Sequence, residues 1–272
     1  MPATEPTKIR NIAVAGHRGV GKTSLVEALL YESGKTNRLG SIEQGTTVSD
    51  WDEHEQRRSM SLSGSLCHLE RKDRKINLVD TPGDAGFQAD TYAALRVVEG
   101  VVVVLSGVMG VEVNTSRVWK RAEEQELSRV LFVNMLDRER ADFFRVLEAA
   151  RQQLSDRCVA IQLPIGAEHE LKGIVDLLHM CAYMDPSGGR EGGPQPIPDS
   201  MAGLVQEHRE RLLDAVVETD EELMGRYLEG EELDPEAVAD ALKQAVTRDE
   251  LYRSPAAWRR RTSARRHCST CS

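Results

Sequence analysis

The stretch that most constrains the fold is Asn11-Ile-Ala-Val-Ala15 running without a break into Gly16-His-Arg-Gly-Val-Gly21-Lys22-Thr23. A short apolar run that ends in a glycine-rich turn reads as a buried strand. The residues that follow, 22–32, carry a helical pattern with Leu25, Ala28 and Leu29 on one face. The turn has the spacing G-x-x-x-x-G-K-[ST], and each position has a physical reason. The glycines let consecutive backbone N–H groups curl round an anion. The helix offers its positive N-terminal end to the same anion. Lys22 is placed to reach β- and γ-phosphates, and the Thr23 hydroxyl to ligate Mg²⁺.

The rest of the chain supplies the sheet that such a loop needs. Residues 76–79, 101–105, 130–133 and 159–163 read as strands, and 114–125 and 141–154 as helices. Continuous apolar strands alternating with helices predict an α/β fold, a doubly wound and mostly parallel P-loop NTPase sheet. After residue 163 the character changes. Residues 187–198 form a Gly/Pro-rich loop, 201–218 an amphipathic helix, and Asp234-Pro235 an N-cap and N1 pair opening a helix to about Thr247. The expected organisation is a nucleotide-binding core over 1–157, an inserted α+β subdomain over 158–250 and a basic tail over 251–272.

Two further motifs follow hydrophobic strands in the order the P-loop demands. Asp80-Thr81-Pro82-Gly83 puts a carboxylate at a strand end, where it holds the Mg²⁺ shell, and a glycine N–H that senses the γ-phosphate. Asn134-Met135-Leu136-Asp137 reads as a reduced N-K-x-D sequence. Asp137 accepts two N–H bonds from a guanine edge, which adenine does not offer, and Asn134 ties the base to the P-loop. A P-loop ATPase or kinase would need adenine preference, and Asp137 argues against it. The candidate nucleotide-binding residues are therefore Gly16, His17, Arg18, Gly19, Val20, Gly21, Lys22, Thr23 and Ser24, then Asp80, Thr81, Pro82 and Gly83, then Asn134, Met135, Leu136 and Asp137.

These motifs and their neighbours resemble the elongation factor G family of translational GTPases. Asp50-Trp51 and Glu55-Gln-Arg-Arg-Ser-Met-Ser61 are similar to that family's switch I segment. Leu95-Arg-Val-Val-Glu-Gly100, Phe132-Val-Asn134 with Asp137-Arg138, Ala141-Asp-Phe-Phe144 and Gln162-Leu-Pro-Ile-Gly-Ala-Glu168 look like its other blocks. Gly173-Ile-Val-Asp-Leu177, Glu221-Glu-Leu-Met224 and Tyr227-Leu-Glu-Gly-Glu-Glu-Leu233 resemble its inserted subdomain. The resemblance implies GTP or GDP with Mg²⁺ as ligands and the ribosome as partner. It implies Ser61 as a third metal-site residue beside Thr23 and Asp80, and catalysis by Lys22, Gly83 and residue 84.

Four positions depart from the family pattern. Asp84 stands where the family has the histidine that positions the attacking water, and its charge beside the phosphates predicts slow hydrolysis. Ser61 replaces a threonine and keeps the hydroxyl. Ser59 replaces a glycine and restricts its loop. Met135 replaces the lysine of N-K-x-D, keeping an apolar body without the charge. The alternative to a slow GTPase is a nucleotide-gated, ribosome-associated module that does not turn over.

Charge limits the partners. The chain has 35 basic and 44 acidic residues, and six of the arginines lie in the last twenty positions, which hold no carboxylate. A body this acidic predicts no direct DNA binding. The start has no secretory h-region, no apolar run is long enough for a bilayer, and Cys67, Cys158 and Cys181 form no disulfide framework. A cytoplasmic monomer is expected. The resemblance stops near Tyr252, where the family enters a strand and a last guanine loop. The tail beyond reads as GC-rich DNA translated out of frame, so a disordered segment is expected there. An inert product, cut within the G domain, is a third reading of the chain. Cys268 and Cys271 alone make no zinc site.

Overall fold

The protein is described by a computed structural model covering residues 5–184, 193–231 and 233–256. The chain divides into two compact units. Among the described residues, one comprises those up to 104 together with 112–127, the other 105–111 together with 128–256.

In the first unit, β1 (Ile9–Gly16) leads into α1 (Lys22–Glu32), the range its apolar pattern predicts. After α2 (Glu53–Arg58) come β2 (Ser65–Arg71) and β3 (Arg74–Asp80), then α3 (Gln88–Leu95), β4 (Gly100–Ser106) and α4 (Val113–Glu123). β1 lies between β3 and β4 and is parallel to both, with Val14 opposite Asp80 on one side and Gly16 opposite Val104 on the other. β2 is the antiparallel edge, Ser65 opposite Asp80. The β2–β3 turn is the dipeptide Lys72-Asp73, both at positive φ (45° and 60°), which suits the twist of a tight hairpin. Ala13, Val14 and Ala15 are wholly buried, packed among such residues as Val26, Leu30, Leu78 and Leu95. Burial on both faces explains why β1 reads as a continuous apolar run.

The second unit takes in the last two residues of β4 and holds β5 (Ser128–Asn134), α5 (Phe143–Gln153), β6 (Cys158–Ala160), β7 (Gln162–Ile165), β8 (Gly173–Asp176) and β9 (Cys181–Met184). α6 (Ala202–Val217), α7 (Glu221–Leu228), α8 (Pro235–Thr247) and β10 (Tyr252–Ser254) complete it. The single strand expected over 159–163 is two strands in two sheets. β6 pairs with β10, whereas β7 opens the antiparallel sheet β7-β8-β9. All eight residues from Cys158 to Ile165 are buried, so no alternation betrays the switch. Aspartates cap the helices α5, α7 and α8: Asp142 accepts from Arg145 N (3.0 Å), Asp220 from Glu222 N (3.0 Å) and Leu223 N (3.1 Å), and Asp234 from Glu236 N (3.4 Å).

Two expectations about organisation differ from what is found. Compactness changes at residue 128 rather than at 158, because β5 and α5 pack with the elements after them. Val133 N donates to Pro255 O (3.2 Å), and Arg151 Nε to Cys158 O (3.0 Å). The tail expected to be disordered from 251 begins instead as a strand. Tyr252 pairs with Cys158 and Ser254 with Ala160, both in parallel, and Leu251, Tyr252 and Ala256 are buried. The cause is Tyr252, whose ring lies 4.6 Å from the Arg129 guanidinium and 5.3 Å from that of Arg157. Residues 257–272, with Cys268 and Cys271, lie outside the described residues, as does the 187–192 portion of the expected loop. Among the described residues no helix is long and apolar enough to cross a membrane.

Candidate functional site

The P-loop is built by β1 and α1. Gly16 sits at φ 142°, and a Cβ there would lie 2.5 Å from Val104 O, so only glycine fits against β4. Gly19 and Gly21 also take positive φ (79° and 89°). Gly21 is the N-cap of α1 and has no side chain to offer, so the first N–H groups of the helix keep their donors for an anion. Val20 is buried under the loop. Lys22 is buried too, and its Nζ donates to His17 O (2.9 Å). Burial pulls its pKa down to about 8, against the raising pull of Asp80 and Asp50.

Behind the lysine lies a cluster of oxygens. Thr23 Oγ1 donates to Asp80 Oδ2 (2.7 Å) and lies 3.2 Å from Ser61 Oγ, which donates in turn to Asp50 Oδ1 (2.8 Å). Asp80 is 1% exposed, and burial lifts its pKa to about 6; burial raises Asp50 as well. The second carboxylate oxygen of Asp80, Oδ1, is buried without a hydrogen bond, and so is the adjacent Ser49 hydroxyl, which favours the ionised carboxylate without reaching bonding geometry. Hydroxyls and carboxylates with unmet capacity are the donor set a hard cation prefers. Thr23, Ser61 and Asp80 therefore fit Mg²⁺. Among the described residues there is no cluster of three or more His, Cys, Asp or Glu that would suit another metal.

The segment carrying Ser61 is held by two buried glutamates. Glu55 accepts from Leu62 N (2.9 Å) and Ser63 N (3.2 Å), and Glu27 from Val48 N (2.6 Å). Ser59 ends α2 at φ 49°, the left-handed conformation that a glycine would take at less cost.

After β3, Thr81 turns inward, its Oγ1 donating to Val14 O (2.9 Å), and Pro82 O accepts from Thr91 Oγ1 (2.9 Å). Both are anchors of the turn. Gly83 lies flush on the P-loop: a Cβ there would overlap Lys22 Nζ and stand 2.7 Å from His17 O and 2.8 Å from Arg18 N. Asp84 Oδ1 accepts from Gly86 N (2.9 Å), capping a short turn, while Oδ2 lies 3.6 Å from Arg18 Nη1. His17 Nε2 lies 3.4 Å from Glu112 Oε1.

The base-recognition motif belongs to the second unit. Asn134 ends β5 and its carbonyl accepts from Gly107 N (2.7 Å). Met135 stands at φ 61°, an unusual conformation for a side chain of its size. Leu136 is buried against Gly107, where a Cβ would come within 2.8 Å of it. Asp137 is exposed, its carboxylate open to solvent. Ser24 lies in the first turn of α1.

The cluster also contains residues for which the sequence had offered no role. Asp50 is the chief one, and its only signal was its place in the Asp50-Trp51 pair. Asn114 is another: its Nδ2 donates to Gly83 O (3.0 Å) and its Oδ1 accepts from Gln88 Nε2 (2.9 Å), fixing the turn that carries Gly83 and Asp84.

The sequence profile of the elongation factor Tu GTP binding domain matches residues 7–249. Among solved structures, a crystal structure of a protein from Thermus thermophilus superposes with a TM-score of 0.84 at 35% identity, over 92% of this chain. The match covers 37% of the Thermus protein, so this chain spans little more than a third of that length. With the P-loop, the Asp80 turn and the Asn134–Asp137 segment in family order, the chain belongs to the elongation factor Tu GTP-binding domain family, as a GTP-binding G domain of the elongation factor G type.

Proposed function

We propose that this domain binds GTP with Mg²⁺ and hydrolyses it slowly to GDP and phosphate, as the nucleotide switch of a translation factor that works on the ribosome. The observation that carries the reading is the oxygen-rich Lys22–Thr23–Ser61–Asp80 cluster, in which Lys22, Thr23 and Asp80 are buried and Asp80 Oδ1 has no hydrogen-bond partner. Lys22 and the open N–H groups of α1 hold the β- and γ-phosphates. Thr23, Ser61 and Asp80 would hold Mg²⁺, directly or through water, and the ion would supply positive charge against the β- and γ-phosphates. Asp137 selects guanine, and Met135 shields the base without adding charge.

In hydrolysis a water oxygen bonds to the γ-phosphorus as the bond to the β-phosphate oxygen breaks, and water must be positioned on the far side. Asp84 is poorly suited to that task, since its carboxylate is engaged with Gly86 N and Arg18. The same observation favours the second reading, a nucleotide-gated module that does not turn over. The two part on one variant. Asp84→His should create or raise GTP hydrolysis in a phosphate-release assay while GDP affinity stays constant. No hydrolysis in either protein would support the non-hydrolysing module. An acidic chain of this kind fits a cytoplasmic monomer without affinity for DNA.

A further inference from the structure

The turn after β3 touches the P-loop in two ways. One is the close backbone approach of Gly83 to His17 and Arg18. The other is a charge contact, Arg18 Nη1 to Asp84 Oδ2 at 3.6 Å. Both side chains are partly exposed, 56% for Arg18 and 32% for Asp84. The distance is that of an ion pair without a hydrogen bond, whereas Asp84 Oδ1 is well bonded to Gly86 N. Arg18 is thus a cation inside the phosphate loop, loosely held by a carboxylate from the neighbouring turn.

We propose that Arg18 is a specificity-determining residue that distinguishes a nucleoside triphosphate from a diphosphate, by exchanging Asp84 for the terminal phosphate. The proposal rests on the reading that the P-loop holds the phosphates. A terminal phosphate carries more charge than a carboxylate and presents several oxygens, and a guanidinium matches such a group in bidentate fashion. A partly exposed ion pair is weak enough to be given up for it. Once Arg18 turns away, Asp84 is an uncompensated anion next to the phosphate and is repelled. The turn carrying Gly83 and Asp84 then gains a reason to move that a diphosphate does not supply. Arg18 favours the triphosphate and Asp84 opposes it, so the two residues act with opposite sign at one place.

The test is the ratio of GTP to GDP affinity, measured by titration on the full chain with Mg²⁺. In Arg18→Gln the ratio should fall about two- to fivefold, the scale of a partly exposed ion pair. In Asp84→Asn it should rise by a similar factor. The two single effects oppose one another, and because the partners share one interaction the ratio in the double variant should depart from the product of the two single changes. An unchanged ratio in both single variants, with GDP still bound, would overturn the proposal and leave the phosphate site standing. So would a shift of both in the same direction. If the native chain, folded by circular dichroism, binds neither nucleotide, the phosphate-site reading fails and this inference fails with it.

Discussion

Each unit buries a cluster of charge, and the two clusters are built on different plans. In the second unit, Arg129 is wholly buried and its donors are met: Nε by Asp249 Oδ1 (3.2 Å), Nη2 by Asp249 Oδ2 and by Tyr252 Oη (2.7 Å), with the Tyr252 ring stacked alongside. In the first unit, Lys22 donates to one carbonyl, Asp80 keeps a bare buried oxygen, and burial drives both towards their neutral forms. At the site itself the helix end repeats the contrast: α1 begins at a bare glycine, whereas aspartates cap α2, α5, α7 and α8. A saturated cluster fastens elements together; a cluster with unmet capacity is stable only in part until a ligand completes it.

That contrast can be broken most directly at Lys22. Lys22→Ala should lower GDP and GTP affinity by about 100-fold or more, since it removes charge-assisted bonds to two phosphates. A labelled-nucleotide titration that found a loss below about tenfold would mean the cluster does not hold phosphate.

Asp80→Asn tests whether the unmet capacity costs stability. The carboxyl titrates near 6 in the folded chain against 3.8 ordinarily, so the folded state holds the extra proton between those values. Stability therefore falls as pH rises from about 4 to 6, and the full cost is present above 6. The variant should be more stable than the native chain at pH 7, by up to about 3 kcal/mol, with the gain vanishing near pH 4. Urea midpoints across that range report it, and Mg²⁺-dependent nucleotide binding should weaken in the same protein. A variant less stable at pH 7 would show that Asp80 is a structural residue.

Arg129→Leu should do the opposite of Asp80→Asn. It removes a saturated partner and strands Asp249, which is partly solvated, so a loss of about 2–3 kcal/mol is expected, below the range for fully buried pairs. The urea midpoint measures it, and a neutral result would erase the distinction between the clusters. The smallest effect is expected at Asp220, the cap of α7, where Asp220→Ala should cost about 1 kcal/mol in the same measurement.

Much of this was legible in the sequence where one local pattern carried the information. The limits of α1 and α8 followed from the P-loop lysine and from Asp234-Pro235. The candidate phosphate residues, with Thr23 and Asp80, were proposed from motif spacing, and Ser61 from the family resemblance. What was not legible depends on distant partners. β8 and β9 are only four residues long, and these two and β2 gain their pairing from antiparallel neighbours. Asp50 joins the metal cluster because the chain returns to place it beside Ser61, eleven residues on. Residues 252–256 look like the start of a basic tail until Arg129, more than a hundred residues earlier, is seen holding the Tyr252 hydroxyl. Asp84 was read by its family position alone, and its contact with Arg18 has no local signal in the sequence.

The depressed pKa of Lys22 has a calorimetric signature. Burial pulls the Lys22 amine down to about 8, so near that pH part of the nucleotide-free population should carry it in the neutral form. A bound polyphosphate favours the ammonium form, so each binding event near that pH should draw a fraction of a proton from the buffer. The heat of binding should then vary with the buffer's ionisation enthalpy near pH 8, and the proton uptake by Lys22 should fade as the pH falls below that value. On the proposed reading, the phosphate site should double as a proton acceptor under mildly alkaline conditions, and an affinity measured at a single pH there should include the free energy of charging Lys22.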